Sequence, residues 1–281
     1  MKTRKAPRGP KVAKFGAVLI LTVYAAFTLF PVLMGVVNSL KTEGEILNNI
    51  LALPAVPQFL NYKTAFEKIH FFRSLVNTVL VVIVGVAGIV LFSAMAGYKL
   101  SRTPGRLSYL LFGLFVMSML VPFHSIMITL TQIARTLGIQ GSLVGLGLIY
   151  IGLGVPMGVF LYHGFTKSIP RDLEEAAIID GCGEFQVFFK VIFPLLRSIT
   201  ATVVVINALW MWNDFLLPLL MLTDSRRYTL LLSTNMLFGR YVNEWSSILA
   251  ALILALLPAV LLFLAFQKSI VRGISEGAIK G

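Results

Sequence analysis

Four carboxylates, Glu174, Glu175, Asp180 and Glu184, fall within one short stretch, "EEAAIIDGCGEF", of a chain that has only twelve acidic residues. In so apolar a sequence, such a stretch must face water or another protein. The other residues able to do chemistry are sparse. His70, His124 and His163 are too scattered to pair by helical spacing, so each reads as an interfacial or interhelical hydrogen-bonding residue; His124, beside Pro122, is the one to watch. Cys182 is the single cysteine, which excludes an internal disulfide and any multi-cysteine metal site. No GxxxxGK[ST] phosphate loop occurs; the nearest fragment, "GFTKS" at 164–168, lacks the glycine spacing. No HExxH pattern and no nucleophile–base set is present. Within the apolar runs Asp214 is the clear acidic residue, and Asn77 and Asn207 are the notable polar ones.

The elements that must position these residues follow from composition. The chain has 281 residues, 57% hydrophobic and 13% charged, with mean hydropathy +0.87. Soluble domains carry about a quarter charged residues, and about 20 apolar residues suffice to cross the bilayer as helix. Six such runs are readable, at 15–38, 74–98, 107–130, 142–164, 199–221 and 247–267, so an all-α polytopic membrane protein is expected. Prolines 31, 122, 156, 218 and 258 fall inside these runs, which membrane helices tolerate where neighbours satisfy the freed carbonyls. The net charge of +12 does not point to nucleic acid, because the basic residues punctuate the ends of spans instead of lining one face.

Of the 24 Lys and Arg, 16 lie in segments 1–14, 99–106, 165–198 and 268–281. The positive-inside rule therefore places both termini and the acidic stretch in the cytoplasm. The basic start followed by residues 15–38 is too long for a signal-peptide core and lacks a small-residue cleavage site, so it reads as an uncleaved first span. The expected organisation is a basic N-terminus (1–14), a first span with its outer loop (15–72), a membrane domain (73–270) with a long inner loop at 165–198, and a tail (271–281).

That inner loop has helix signals of its own. Pro170 suits a first helical position, Asp172, Glu174 and Glu175 suit the positive end of a helix dipole, and Gly181 can end the helix in a left-handed conformation. A second short helix from Glu184 would place Phe185, Phe188, Phe189 and Ile192 on one face. The result is a helix–turn–helix with Ala176 and Ala177 at its surface. Part of the aromatic stripe packs on the protein's own spans, but packing leaves the acidic edge and the paired alanines unexplained. Docking of a partner explains them.

Here the chain resembles a family. Glu175-Ala176-Ala177, three residues, then Gly181, with Val191-Ile192-Phe193-Pro194 in the "I-x-L-P" position, resembles the EAA loop of the integral-membrane subunits of ABC importers. Val and Phe replace that pattern's Ile and Leu. "SLVNTVLVV", "AGYKLSR", "LVPFHSIMITL", "WMWNDFLLPLLML", "EWSSILAALILALLP" and "GISEGAIKG" are similar to the sugar-importing branch, notably the shorter maltose-type permease, across residues 15–281.

The resemblance implies a type I importer fold in which Glu175, Ala176, Ala177, Asp180, Gly181, Phe185 and Pro194 form the contact with a separate ATPase. It implies no cofactor in this chain, with ATP and Mg held by that ATPase. It also implies a second, non-identical permease, two ATP-binding subunits, an extracytoplasmic solute-binding protein, a sugar substrate, and a bacterial inner membrane whose lipid surrounds the spans. The ending Gly277-Ala278-Ile279-Lys280-Gly281 would lie near the ATPases. Residues 40–72 either face the binding protein or merely cover the spans.

For the solute path, Asn207, Trp210, Met211 and Asp214 fall at i, i+3, i+4 and i+7, which places them on one helix face. They offer hydrogen-bonding groups for hydroxyls and an aromatic face for sugar C–H groups. The same four residues could instead hold helices together. Two other readings stay open: an ABC permease for another solute such as glycerol phosphate, and an ion-coupled secondary transporter. The second would call for several ionisable groups along a pathway or inverted half-repeats, and the sequence supplies neither.

Overall fold

The computed structural model describes residues 11–238 and 244–278, and its regular elements are all helical. In order they are α1 (Lys11–Ser39), α2 (Glu43–Asn48), α3 (Leu60–Lys68), α4 (Phe71–Arg102), α5 (Arg106–Ser118), α6 (Phe123–Thr136), α7 (Leu143–Thr166), α8 (Asp172–Ile179) and α9 (Glu184–Gln186). A π-helical turn (Val187–Ile192) leads to α10 (Phe193–Leu195), α11 (Arg197–Asn213), α12 (Leu216–Met221), α13 (Leu230–Ser233) and α14 (Trp245–Ala278). The all-α expectation holds. The start of the basic N-terminus and Ile279-Lys280-Gly281 lie outside the described residues.

Three helices, Phe15–Ser39, α4 and α7, are each long and apolar enough to cross a membrane alone. The expected spans at 107–130 and 199–221 are not continuous helices. The first breaks into α5 and α6, bent by 102°. Its cause is Pro122, the extended residue (φ −62°, ψ 133°) that caps α6. A proline has no N–H to give the preceding turn and disfavours α geometry in the residue before it. The second ends at Asp214, which is extended (φ −81°, ψ 126°), and restarts as α12, with Pro218 in the first turn. Pro31, Pro156 and Pro258 do lie inside helices.

The chain divides into two compact units, Met1–Lys68 with Leu237–Leu254, and Ile69–Met236 with Ala255–Gly281. In the first, the segment after α1 is tied by a buried lysine. Lys41 Nζ donates to Asn38 Oδ1 (2.9 Å), Asn49 O (3.0 Å) and Ile50 O (3.2 Å). An ammonium out of water needs such a shell of acceptors. Asn61 Nδ2 donates to the carbonyls of Ser39 and Lys41, and Glu43 accepts from Ser246 N and Oγ at the start of α14.

The second unit is built on α4 against α7. Glycines allow this approach, as small residues do wherever membrane helices pack closely. A Cβ on Gly97 would stand 2.7 Å from Tyr162 Cβ and 2.9 Å from the His163 backbone nitrogen. One on Gly154 would stand 2.3 Å from Ile89 Cδ1. Val81, Ile89, Leu146, Tyr150, Tyr162 and Val203 form the centre of the resulting core. Tyr162 is fully buried, and its hydroxyl reaches Thr200 Oγ1 at 2.9 Å.

Candidate functional site

The acidic loop is a helix, a glycine turn and a second helical piece. Helix α8 opens with Asp172, Glu174 and Glu175 in its first turn, as the helix dipole favours. It starts two residues later than the proline signal indicates: Pro170 lies before the cap residue Arg171, whose carbonyl accepts from the N–H groups of Glu174 and Glu175. At the other end Asp180 is the cap and Gly181 adopts φ +83°. Cys182 N–H bonds to Ala177 O and Gly181 N–H to Ile178 O, both at 2.9 Å. This pair of bonds is the Schellman closure, which requires a left-handed residue where Gly181 stands.

The second piece corrects the expected aromatic stripe. Val187–Ile192 is π-helical, and the wider turn changes which residues share a face. Val187, Phe188, Ile192 and Leu196 are buried, whereas Phe185 is 70% exposed and Phe189 44%. Ala177 is also inside, packed in the core, so of the two alanines only Ala176 is at the surface. The outer face of the loop thus carries Glu175, Ala176, Asp180 and Phe185 together with the exposed Ile178 and Ile179. Apolar side chains rimmed by carboxylates suit a partner surface with basic groups around an apolar centre.

Glu174 behaves differently from its neighbour. Its carboxylate accepts from Arg102 Nε at 2.6 Å and from the Tyr98 hydroxyl at 2.9 Å. Arg102 Nη2 also donates to Ile169 O at 2.8 Å, and an exposed ion pair joins Lys99 to Glu184 at 3.1 Å. Sequence reasoning missed this clamp. Tyr98 and Arg102 do share a helix face at i and i+4, but basic residues at a span end are already explained by topology.

On α11 the four residues of the expected solute face are not equivalent. Asn207 is buried, with Nδ2 bonded to Val203 O within its own helix (2.8 Å) and Oδ1 against Gly154. Met211 is buried against Gly85. Asp214 stands just past the helix end. Its Oδ1 accepts from Leu216 N (3.0 Å), capping α12, and its Oδ2 accepts from the Tyr150 hydroxyl (2.8 Å). Trp210 is 38% exposed and lies edge-on to Tyr150, with ring centroids 5.2 Å apart. The opposite face of α11 lines an apolar groove of about 680 Å³ with Val79, Ile83, Val204, Ala208, Trp212 and Phe263 among its walls.

Residues 88–276 match the family described as binding-protein-dependent transport system inner membrane component. The chain belongs to this family. The permease is 35% identical to the probable starch degradation products transport system permease protein AmyC of Thermoanaerobacterium thermosulfurigenes, over 96% of this chain and 98% of that one. It is 36% identical to the multiple sugar-binding transport system permease protein MsmG of Streptococcus mutans, over 96% and 98%. Its fold matches a subunit in the crystal structure of a bacterial ABC transporter involved in the import of the acidic polysaccharide alginate, with TM-score 0.76 and 18% identity over 95% of this chain and 99% of that one. The permease is therefore a membrane transport component, not itself an ATPase, and a type I importer subunit in fold.

Proposed function

We propose that this permease forms half of the translocation pathway of an ATP-driven carbohydrate importer and takes its power stroke from a separate ATPase through residues 165–198. The observation that carries the reading is the division of the loop. One face is built into the protein, while the other presents carboxylates and apolar side chains that nothing in the described chain covers. Relatives matched over nearly the whole length bear names that specify starch degradation products, multiple sugars, and melibiose, raffinose and stachyose. Their shared chemistry is the carbohydrate, so that class is assigned here.

In this reading Glu175, Ala176, Asp180, Gly181, Phe185 and Pro194 make or shape the ATPase contact, with Ala177 seating the helix from within. ATP and Mg bind the ATPase, and this chain needs no cofactor. One loop serves one ATPase, so a two-ATPase motor calls for a second permease. The groove beside α11 and the exposed side chains of α1 are apolar surfaces that only lipid or another apolar helix would cover favourably. Residues 40–72 are assigned to the outer side, where a binding protein delivers solute, and both termini to the cytoplasm. Trp210 is the member of the α11 face proposed to meet the sugar, with Asn207, Met211 and Asp214 holding it in place.

The test is Glu175→Lys and Phe185→Ala in the assembled transporter. Each variant is expected to reach the membrane but to lower ATPase co-purification or solute-stimulated hydrolysis at least fivefold. Normal coupling in both variants would refute the docking role.

A further inference from the structure

We propose that α4 is the element through which the loop moves the membrane domain, with Glu174 and Arg102 as the positioning pair that fixes the loop to it. The proposal rests on the coupling role given to the loop above and names the receiving helix.

The last turn of α4 holds three successive pieces of the loop. Arg102 Nη2 binds Ile169 O at the loop entry, and Arg102 Nε and the Tyr98 hydroxyl bind Glu174 on α8. The Tyr98 ring packs on Phe188 of the π-helical turn, with centroids 5.3 Å apart. The Arg102 and Glu174 side chains are only 11% and 13% exposed. The exposed Lys99–Glu184 pair adds little, because charges so solvated are screened.

The covalent routes out of the loop are less suited to carry force. Towards α7 the chain passes through the irregular segment Lys167–Pro170, and towards α11 it turns by 76° after Leu195. The α4 helix, by contrast, runs without a proline from Phe71 to Arg102 and packs glycine-to-backbone on α7. Close-packed helices have no slack to absorb a displacement, so a pull on Arg102 shifts α4 and α7 as one body. A buried ion pair is poor evidence for stability, since apolar residues of equal volume often serve as well. What the pair does supply is a fixed direction: a planar guanidinium holds a carboxylate and a carbonyl in one geometry. The paired glutamates then divide the labour, Glu175 facing outward to the ATPase and Glu174 inward to α4.

The experiment uses the whole transporter reconstituted in vesicles, with Glu174→Gln, Arg102→Gln and the exchanged pair Glu174→Arg with Arg102→Glu. Readouts are ATPase co-purification, ATP hydrolysis and solute taken up per ATP. Single variants are expected to keep co-purification within twofold of the parent while uptake per ATP falls at least tenfold. The exchanged pair is expected to recover at least half of the loss, which a generic folding role would not give. Should the exchanged pair fail to fold, Tyr98→Phe decides: a two- to fivefold fall in uptake per ATP supports the proposal, and no change overturns it. Unchanged uptake per ATP in both single variants would overturn it. So would lost co-purification in Glu174→Gln, which would make Glu174 a docking residue and leave the coupling role intact. Glu175→Lys run in parallel separates the two: if that variant couples normally, the loop's docking role has failed, whatever the clamp does.

Discussion

At the scale of single residues, the loop is decided by conformation at one site and by polarity at the next. Gly181 is at φ +83°, and a Cβ there would meet nothing within 4 Å. Any penalty for replacing it is therefore backbone strain alone. Left-handed geometry costs an ordinary residue about 1–2 kcal/mol, while asparagine adopts it readily. Coupling should fall in the order Gly181, Gly181→Asn, Gly181→Ala, Gly181→Val, with the thermal midpoint of the purified complex falling in the same order. Equal behaviour of Asn and Val would show that the Schellman closure does not matter. Both Gly181 and the outward Glu175 were legible, because spacing within the loop carries them. The inward turn of Glu174 was not. Two adjacent glutamates look alike in sequence, and Arg102, some 70 residues earlier, was fully accounted for by charge asymmetry.

At the scale of elements, hydropathy located the membrane-crossing material but not its breaks. The apolar runs at 107–130 and 199–221 continue across Pro122 and Asp214, so a window average cannot see that the helix is interrupted there. Pro122 carries the signal, but a proline in an apolar run marks a tolerated kink and a full break alike. Spacing places Asp214 on a helix face, whereas its carboxylate replaces the backbone acceptors that the break removes. Asp214→Ala would leave the Leu216 N–H and the Tyr150 hydroxyl without an acceptor, a loss of about 1–3 kcal/mol for each group left unpaired. Assembly and the thermal midpoint should suffer. Asp214→Asn keeps one oxygen for the cap and should be milder. Trp210→Ala removes a half-exposed ring that bears no hydrogen bond among the described residues, so assembly and basal ATP hydrolysis should survive while uptake falls several-fold. Equal loss of assembly in Trp210→Ala and Asp214→Ala would place Trp210 among the packing residues and remove this face from the solute path.

At the scale of the whole molecule, orientation governs the rest, because only a cytoplasmic loop can meet an ATPase. The Lys and Arg distribution carries this two to one, a bias spread over seven segments and independent of any motif. Exposed positions now allow a direct measurement. Thr103 is exposed beside the loop and Lys167 near its start, and Leu53 and Arg226 are exposed in the segments assigned outside. The parent's sole cysteine, Cys182, is half-buried in the loop, so a Cys182→Ser background leaves one thiol at a time. Single cysteines at 53 and 226 should react with a membrane-impermeant thiol reagent in intact cells. Those at 103 and 167 should react only after permeabilisation. Substitution at 53, 103 and 226 disturbs little: Leu53 and Thr103 offer side chains that no hydrogen bond uses among the described residues, and Arg226 loses a pair with Asp224 whose arginine is 77% exposed. Labelling in the opposite sense would put Glu175 and Phe185 on the solute side of the membrane, out of reach of any nucleotide-driven partner. The apolar and acidic loop face would then have to be explained by contact with the binding protein.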